Sequence, residues 1–149
     1  MSRPYVELLA RVSSQGNREQ RMQALVDLLW ESLRGSGVSW VGFYLHHGGD
    51  QMVLGPRRDK PACSPIGLHG VCGQAQSSGR PRVVRDVAEL GANYIVCDPL
   101  DRSEVVVPLF DEPGRCWGVL DLDSHEAGAF DEEDVRGLTE LLRRAGLTR

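Results

Sequence analysis

Cys63, Cys72, Cys97 and Cys116 are the residues of this sequence whose type and setting could do chemistry, and Cys97 has the most suggestive surroundings. It is followed by Asp98 and Pro99, by a polar turn, and then by Ser103-Glu104 opening the apolar run Val105-Val106-Val107-Pro108. A thiol on a turn is a candidate nucleophile, and a carboxylate at the mouth of the next strand is a candidate acid or cation anchor. An isolated cysteine is commonly no more than a small buried hydrophobe, so the weight falls on its companions. There is no C-x-x-C pair and no His-x3–5-His, which argues against zinc. The thiols are expected to be free, redox-active or metal-bound rather than a structural disulfide framework, and redox chemistry stays open. Cys72 is expected near the start of a short helix, where the helix dipole favours a thiolate. Cys116, on a strand beside Trp117, reads as a buried hydrophobe.

Asp121 and Asp123 sit two apart in an otherwise apolar run, so the alternation of a strand places them on one face, with Trp117 and Val119. A strand end facing solvent would explain them as simply. If they converge with Glu104, three acids without an evident basic partner argue against phosphate or nucleotide ligands and for one carrying an ammonium group. Crowding would also raise at least one pKa and keep a proton available near neutrality. By the same alternation Trp40, Gly42 and Tyr44 share a face, and Gly42 leaves a gap between two aromatic rings. Around Cys97, the charges of Asp98, Asp101 and Glu104 should raise the thiol's pKa, opposed only by Arg102. His46 and His47 read as solvent-facing turn residues, since neighbours on a strand cannot easily share one ion.

The elements that must position these groups are legible from periodicity and turn chemistry. Tyr5, Leu8, Leu9 and Val12 form a short helical stripe. Asn17, with Gln20 three later, starts a longer helix on Met22, Leu25, Val26, Leu29 and Leu33, closed by Gly35. Residues 38–45 and 51–55 predict a hairpin, 70–79 a short helix and 81–87 a further strand. Residues 103–110 and 115–124 predict a second hairpin across the turn Asp111-Glu112-Pro113-Gly114. Asp131 caps a last helix, stapled by Phe130 and Val135. Helices at both ends of a hairpin-connected chain imply an α+β fold: an antiparallel sheet with terminal helices packed on one face and irregular, ligand-covering loops on the other.

Composition narrows the class. The chain has 149 residues, 41% hydrophobic and 26% charged, ordinary for one globular domain with a real core. Net charge is −4 and the basic residues are scattered, which disfavours nucleic acid. No apolar run approaches the roughly 20 residues of a membrane span, and the N-terminus lacks the apolar stretch of a signal peptide, so a cytoplasmic location is expected.

The runs Trp40-x-Gly42-Phe43-Tyr44, Leu54-Gly55-Pro56, Lys60-Pro61-Ala62-Cys63, Gly70-Val71-Cys72-Gly73, Cys97-Asp98, Ser103 to Pro108, Gly118 to Ser124 and Phe130-Asp131 resemble the free methionine-R-sulfoxide reductases, small GAF-fold enzymes. The resemblance implies a single GAF domain over residues 1–149, with its core at about 17–146. It implies Cys97 as nucleophile on the sulfoxide sulfur, Cys63 as resolving thiol in a disulfide with Cys97, and Cys72 as an accessory thiol. Glu104 and Asp123 would hold and protonate the sulfoxide oxygen, Asp121 would help bind the substrate ammonium, and Trp40 and Tyr44 would enclose the terminal methyl. It further implies thioredoxin or a similar reductant, no metal or organic cofactor, and a homodimer. Loops depart from the family pattern between Cys63 and Cys72, after Pro56, and at Gly91-Ala92-Asn93-Tyr94. Two alternatives stand beside this reading: a GAF module that senses a small molecule or redox state without turnover, and a drifted reductase with a different substrate.

Overall fold

In the computed structural model, which describes residues 3–149, the chain forms α1 (Tyr5–Leu9), α2 (Arg18–Leu33), β1 (Trp40–Leu45), β2 (Gln51–Arg58), β3 (Ile66–Gly67), α3 (Val71–Ser78), β4 (Arg82–Val84), β5 (Ser103–Phe110), β6 (Cys116–Ser124) and α4 (Glu132–Arg144). The strands make one antiparallel sheet in the order β3-β2-β1-β6-β5-β4. The long β1, β5 and β6 lie at its centre, so the residues they carry are held by hydrogen bonds on both sides.

Local signals in the sequence set the helix ends. Asn17 and Gln20 exchange side-chain to backbone bonds of 2.8 and 2.9 Å, satisfying two amides that the first turn of α2 would otherwise leave unpaired. Asp131 and Asp134 do the same for α4. Asp134 is in turn buried against Arg3 at 2.8 Å and the Tyr5 hydroxyl at 2.5 Å, which pins α1 across α4. Gly137 makes that crossing possible, because a Cβ there would collide with the Tyr5 ring.

α2 and α4 cover one face of the sheet. Their apolar stripes meet Val41, Phe43, Val105, Val107, Leu109, Leu120 and Leu122 in a continuous core that includes Phe130 and Val135. The opposite face is covered by the connections, as expected, and α3 packs there too, against β5 and β6. Trp40, Tyr44, Val106 and Val119 line that side.

Strand register shifts between β1 and β2, across Gly42 and Tyr44, and again between β5 and β6. Leu109 pairs Gly118 but Phe110 pairs Cys116, so β6 carries one extra residue, Trp117. The bulge turns Trp117 to the helix side, where the Arg18 guanidinium lies 4.0 Å from its ring centroid. Trp117 therefore does not share a face with Val119, Asp121 and Asp123; uninterrupted alternation had placed it there.

Candidate active site

Three rows of paired residues build the site on the face under α3. Asp123 of β6 lies opposite Trp40 of β1 and Glu104 of β5; Asp121 lies opposite Gly42 and Val106; Val119 lies opposite Tyr44 and Pro108. Asp121 and Asp123 thus do not face solvent from a frayed strand end. Glu104 and Asp121 are buried, and each has a carboxylate oxygen with no hydrogen-bond partner. Burial pushes the pKa of all three acids up, and for Asp121 and Asp123 the neighbouring carboxylates push further. Arg82 of β4 is a basic neighbour that pulls Glu104 the other way, which the sequence reading did not identify. Its guanidinium bonds the Gln74 side chain instead of lining the cavity.

The gap expected over Gly42 is closed by its own neighbour. A Cβ there would strike the Trp40 ring, so the indole lies across the glycine and the ring centroids of Trp40 and Tyr44 come to 6.1 Å. The polar tips of both aromatics do a second job not evident from spacing. Trp40 Nε1 donates to the Lys60 carbonyl and Tyr44 Oη to the Cys63 carbonyl, each at 2.8 Å. These bonds seat the loop that carries Cys63 over the sheet.

Cys63 and Cys97 are joined by a disulfide with their Cα atoms 5.5 Å apart. Cys97 sits on an exposed turn that Asp98 organises. The Asp98 side chain accepts the Leu100 amide at 2.9 Å, and its other oxygen meets Lys60 Nζ at 3.2 Å and His125 Nε2 at 2.9 Å. The Leu100 amide first, then the His125 and Lys60 contacts, hold its pKa at about 2. The basic side chains that meet this turn are thus Lys60 and His125. Arg102, expected in that role, turns outward to Asp86 at 3.1 Å.

Cys72 stands at the start of α3 but is buried, with Sγ donating to Asp121 Oδ2 at 3.5 Å. Burial, then the charges of Asp121, Glu104 and Asp123, push its thiol well up, so the neutral form is favoured against the expectation from the helix dipole. Cys116 is buried outside this site, bonded to the Gly118 carbonyl at 3.2 Å.

Together these groups enclose a cavity whose empty space, open mouth included, is about 440 Å³. All eight residues singled out from the sequence except Cys63 line it, and Cys63 is bonded to one that does. Asp101, Ile66, Tyr94 and Ile95 also line it and were missed as cavity residues. Ile95 had one readable signal, its place two residues before Cys97; Gly70 admits it, since a Cβ there would come within 2.9 Å of the Ile95 side chain. Among the described residues, no Lys, Arg or His lines the cavity. The arrangement therefore offers a cysteine pair joined as a disulfide and acids with raised pKa values, in a cavity beside two aromatic rings.

Those features define a GAF-type domain carrying a cysteine pair joined as a disulfide, and comparison with known proteins agrees. The GAF-domain family profile matches residues 16–148. The free methionine-R-sulfoxide reductase of Escherichia coli is 40% identical over 117 residues, 77% of this chain and 67% of that protein. That of Saccharomyces cerevisiae is 34% identical over 121 residues, 78% of this chain and 67% of that protein. The crystal structure of free methionine-R-sulfoxide reductase from Neisseria meningitidis in complex with its substrate superposes with a TM-score of 0.81 at 36% identity, covering 97% of this chain and 87% of that one. The chain belongs to the GAF-domain family and, within it, to the free methionine-R-sulfoxide reductases.

Proposed function

We propose that this protein reduces free methionine-R-sulfoxide to methionine, with Cys97 as nucleophile and Cys63 as resolving thiol. The observation that carries the reading is the Cys63–Cys97 bond at the mouth of a cavity lined by Glu104, Asp121 and Asp123. A sulfoxide oxygen is a poor leaving group until it is protonated, so attack on its sulfur needs an acid alongside. Burial gives Glu104 and Asp123 raised pKa values and hence a proton to donate. A cavity without a cation of its own suits a ligand that brings an ammonium group, which Asp121 and its unpartnered oxygen would take. Trp40 and Tyr44 would enclose the substrate's terminal methyl.

The chemistry balances in two steps. Cys97 bonds to the sulfoxide sulfur and takes over its oxygen, becoming a sulfenic acid as the thioether leaves. Cys63 then attacks the Cys97 sulfur; the S–S bond forms, the S–O bond breaks, and the hydroxyl departs as water with the thiol proton. An external dithiol of the thioredoxin type reopens the disulfide at the exposed Cys97 turn. Cys72 is an accessory thiol on that route, held neutral by its surroundings until a partner thiol calls on it. The scheme needs no metal or organic cofactor, and we place it in a cytoplasmic homodimer.

The test is NADPH consumption with thioredoxin and thioredoxin reductase, on each methionine sulfoxide diastereomer separately. Turnover of the R form alone, reduced at least about a thousandfold by Cys97→Ser, is the expected result. A folded, reduced protein that turns over neither form would defeat the reading and favour a sensing module or another substrate.

A further inference from the structure

Asp98 and Asp101 lie one turn apart immediately after Cys97, with the Asp101 amide donating to the Asp98 carbonyl at 3.1 Å to close the turn. Their environments are opposite. Asp98 is held ionised by the Leu100 amide, His125 and Lys60. The Asp101 side chain is only 9% exposed, and its Oδ1 is buried without a hydrogen-bond partner. That side chain lines the main cavity with Cys97, and also the smaller cleft that Cys97 shares with Lys60, Pro61 and Ala62 of the Cys63 loop. It therefore shares both cavities with Cys97, the cysteine to which Cys63 is bonded. His125 Nε2 lies 3.7 Å from Asp101 Oδ1, while the His125 side chain is 43% exposed. A half-exposed imidazole, hydrogen-bonded to Asp98, thus stands beside a buried acid that lines the cavity with Cys97.

We propose that Asp101 is the proton shuttle of the resolving step and that His125 links it to water. The proposal rests on the reductase reading above and adds to it a residue that the substrate-reduction step does not use. In the resolving step, Asp101 as carboxylate takes the Cys63 proton. The Cys63 lone pair forms the S–S bond, the S–O bond of the Cys97 sulfenic acid breaks, and Asp101 returns the proton to the departing hydroxide as water. Cys63 is oxidised, Cys97 is reduced, and Asp101 ends as it began, so no further reactant is needed. A group that must both accept and donate a proton works best with a pKa near the working pH. Burial, then Asp98 and Glu104, raise Asp101 to about 7, with His125 and Lys60 pulling down. The other groups that interact with it are Asp123 of β6 and Tyr94 in the connection before Cys97. Asp98, at about 2, cannot donate.

Single-turnover measurements on reduced protein separate the steps: methionine released reports the first, loss of free thiol the second, and a sulfenic-acid trap such as dimedone the species between. With Asp101→Asn, methionine is still released in a burst, disulfide formation slows at least tenfold, and the trap labels Cys97. Equal slowing of both steps, or of neither, overturns the proposal. A wild-type protein that releases no methionine fails at the earlier reading and takes this one with it. His125→Gln, an exposed substitution, decides the matter if Asp101→Asn does not fold. The rate of disulfide formation rises with pH as Asp101 ionises, and losing His125, which pulls the Asp101 pKa down, moves that rise to higher pH. An unmoved profile in His125→Gln overturns the relay.

Discussion

On the helix face of the sheet Val105, Val107, Leu120 and Leu122 are buried among the apolar stripes of α2 and α4. One residue along the same strands, the other face carries Glu104, Val106, Asp121 and Asp123, with buried carboxylate oxygens left unpaired. Two adjacent central strands thus present an apolar surface to one side and an acid-lined one to the other. The period of two that separates the faces also separates the tasks. The helix face supplies packing energy, and the central strands hold the acids rigidly in a place where water cannot neutralise their mutual repulsion.

Substitutions that cross this division sharpen it. The largest effect on stability is expected on the helix face, at Leu120→Ala, which would lose about 2–5 kcal/mol in urea denaturation because a fully buried side chain leaves a cavity. An equally deep change on the acid face, Glu104→Gln, should leave stability unchanged or higher while kcat/KM falls about a hundredfold. If Glu104→Gln instead unfolds the protein and Leu120→Ala does not, the division of labour fails.

The next effect is a slope. Asp121 has a folded-state pKa raised by burial and by Asp123 and Glu104. A raised acid keeps its proton in the native state after the unfolded chain has lost its own. Stability therefore falls as pH climbs from the ordinary carboxylate range toward the folded value, by about 1.4 kcal/mol per pH unit for each proton so held. Asp98 works in the opposite sense. Its lowered pKa contributes stability present above the ordinary aspartate range and lost as pH falls through about 2. Chemical denaturation of ligand-free protein between pH 5 and 8, a range of about three units, reads the first effect together with those of Glu104, Asp123 and Asp101, and Asp121→Asn should make the slope shallower. A wild-type profile already flat over that range would mean that the acids are not held as the cavity geometry implies.

Much of this was readable from residues alone, for physical reasons. Asn17-x-x-Gln20 and Asp131 mark helix starts because the bonds that satisfy the first turn are local. Asp121 and Asp123 could be placed on one face by parity, and the convergence with Glu104, open in the sequence, follows from β5 and β6 pairing without a slip over that stretch. Parity failed at Trp117, where a bulge adds a residue that no local signal announces. It also misjudged Gly42, since the side chain of Trp40 can fold along its own strand and fill the gap. The Lys60 and His125 contacts with Asp98 join segments far apart in the chain, and exposed charges choose partners by tertiary proximity that spacing does not encode. Cys72 was misread for a related reason: a helix start favours a thiolate, but burial beside Asp121 outweighs it, and burial depth is a property of the whole fold.

The smallest expected effect tests whether the comparison extends to the thiols. Cys116 is as buried as a core residue, and burial raises its pKa, yet it lines none of the cavity that holds Cys72 and Cys97. Its sulfur makes one bond, to the Gly118 carbonyl two residues along the same strand, beside the bulge at Trp117. Cys116→Ala removes that weak bond and one polarisable atom, so a loss of about 1 kcal/mol or less is expected on thermal or urea unfolding. Turnover and the yield of the Cys63–Cys97 disulfide should match wild type within about twofold, because ΔΔG‡ below roughly 0.5 kcal/mol is all that a thiol outside the site can contribute. A loss of turnover in Cys116→Ala with the disulfide yield intact would place this thiol on the route to the external reductant, and chemistry would then extend beyond the acid-lined face.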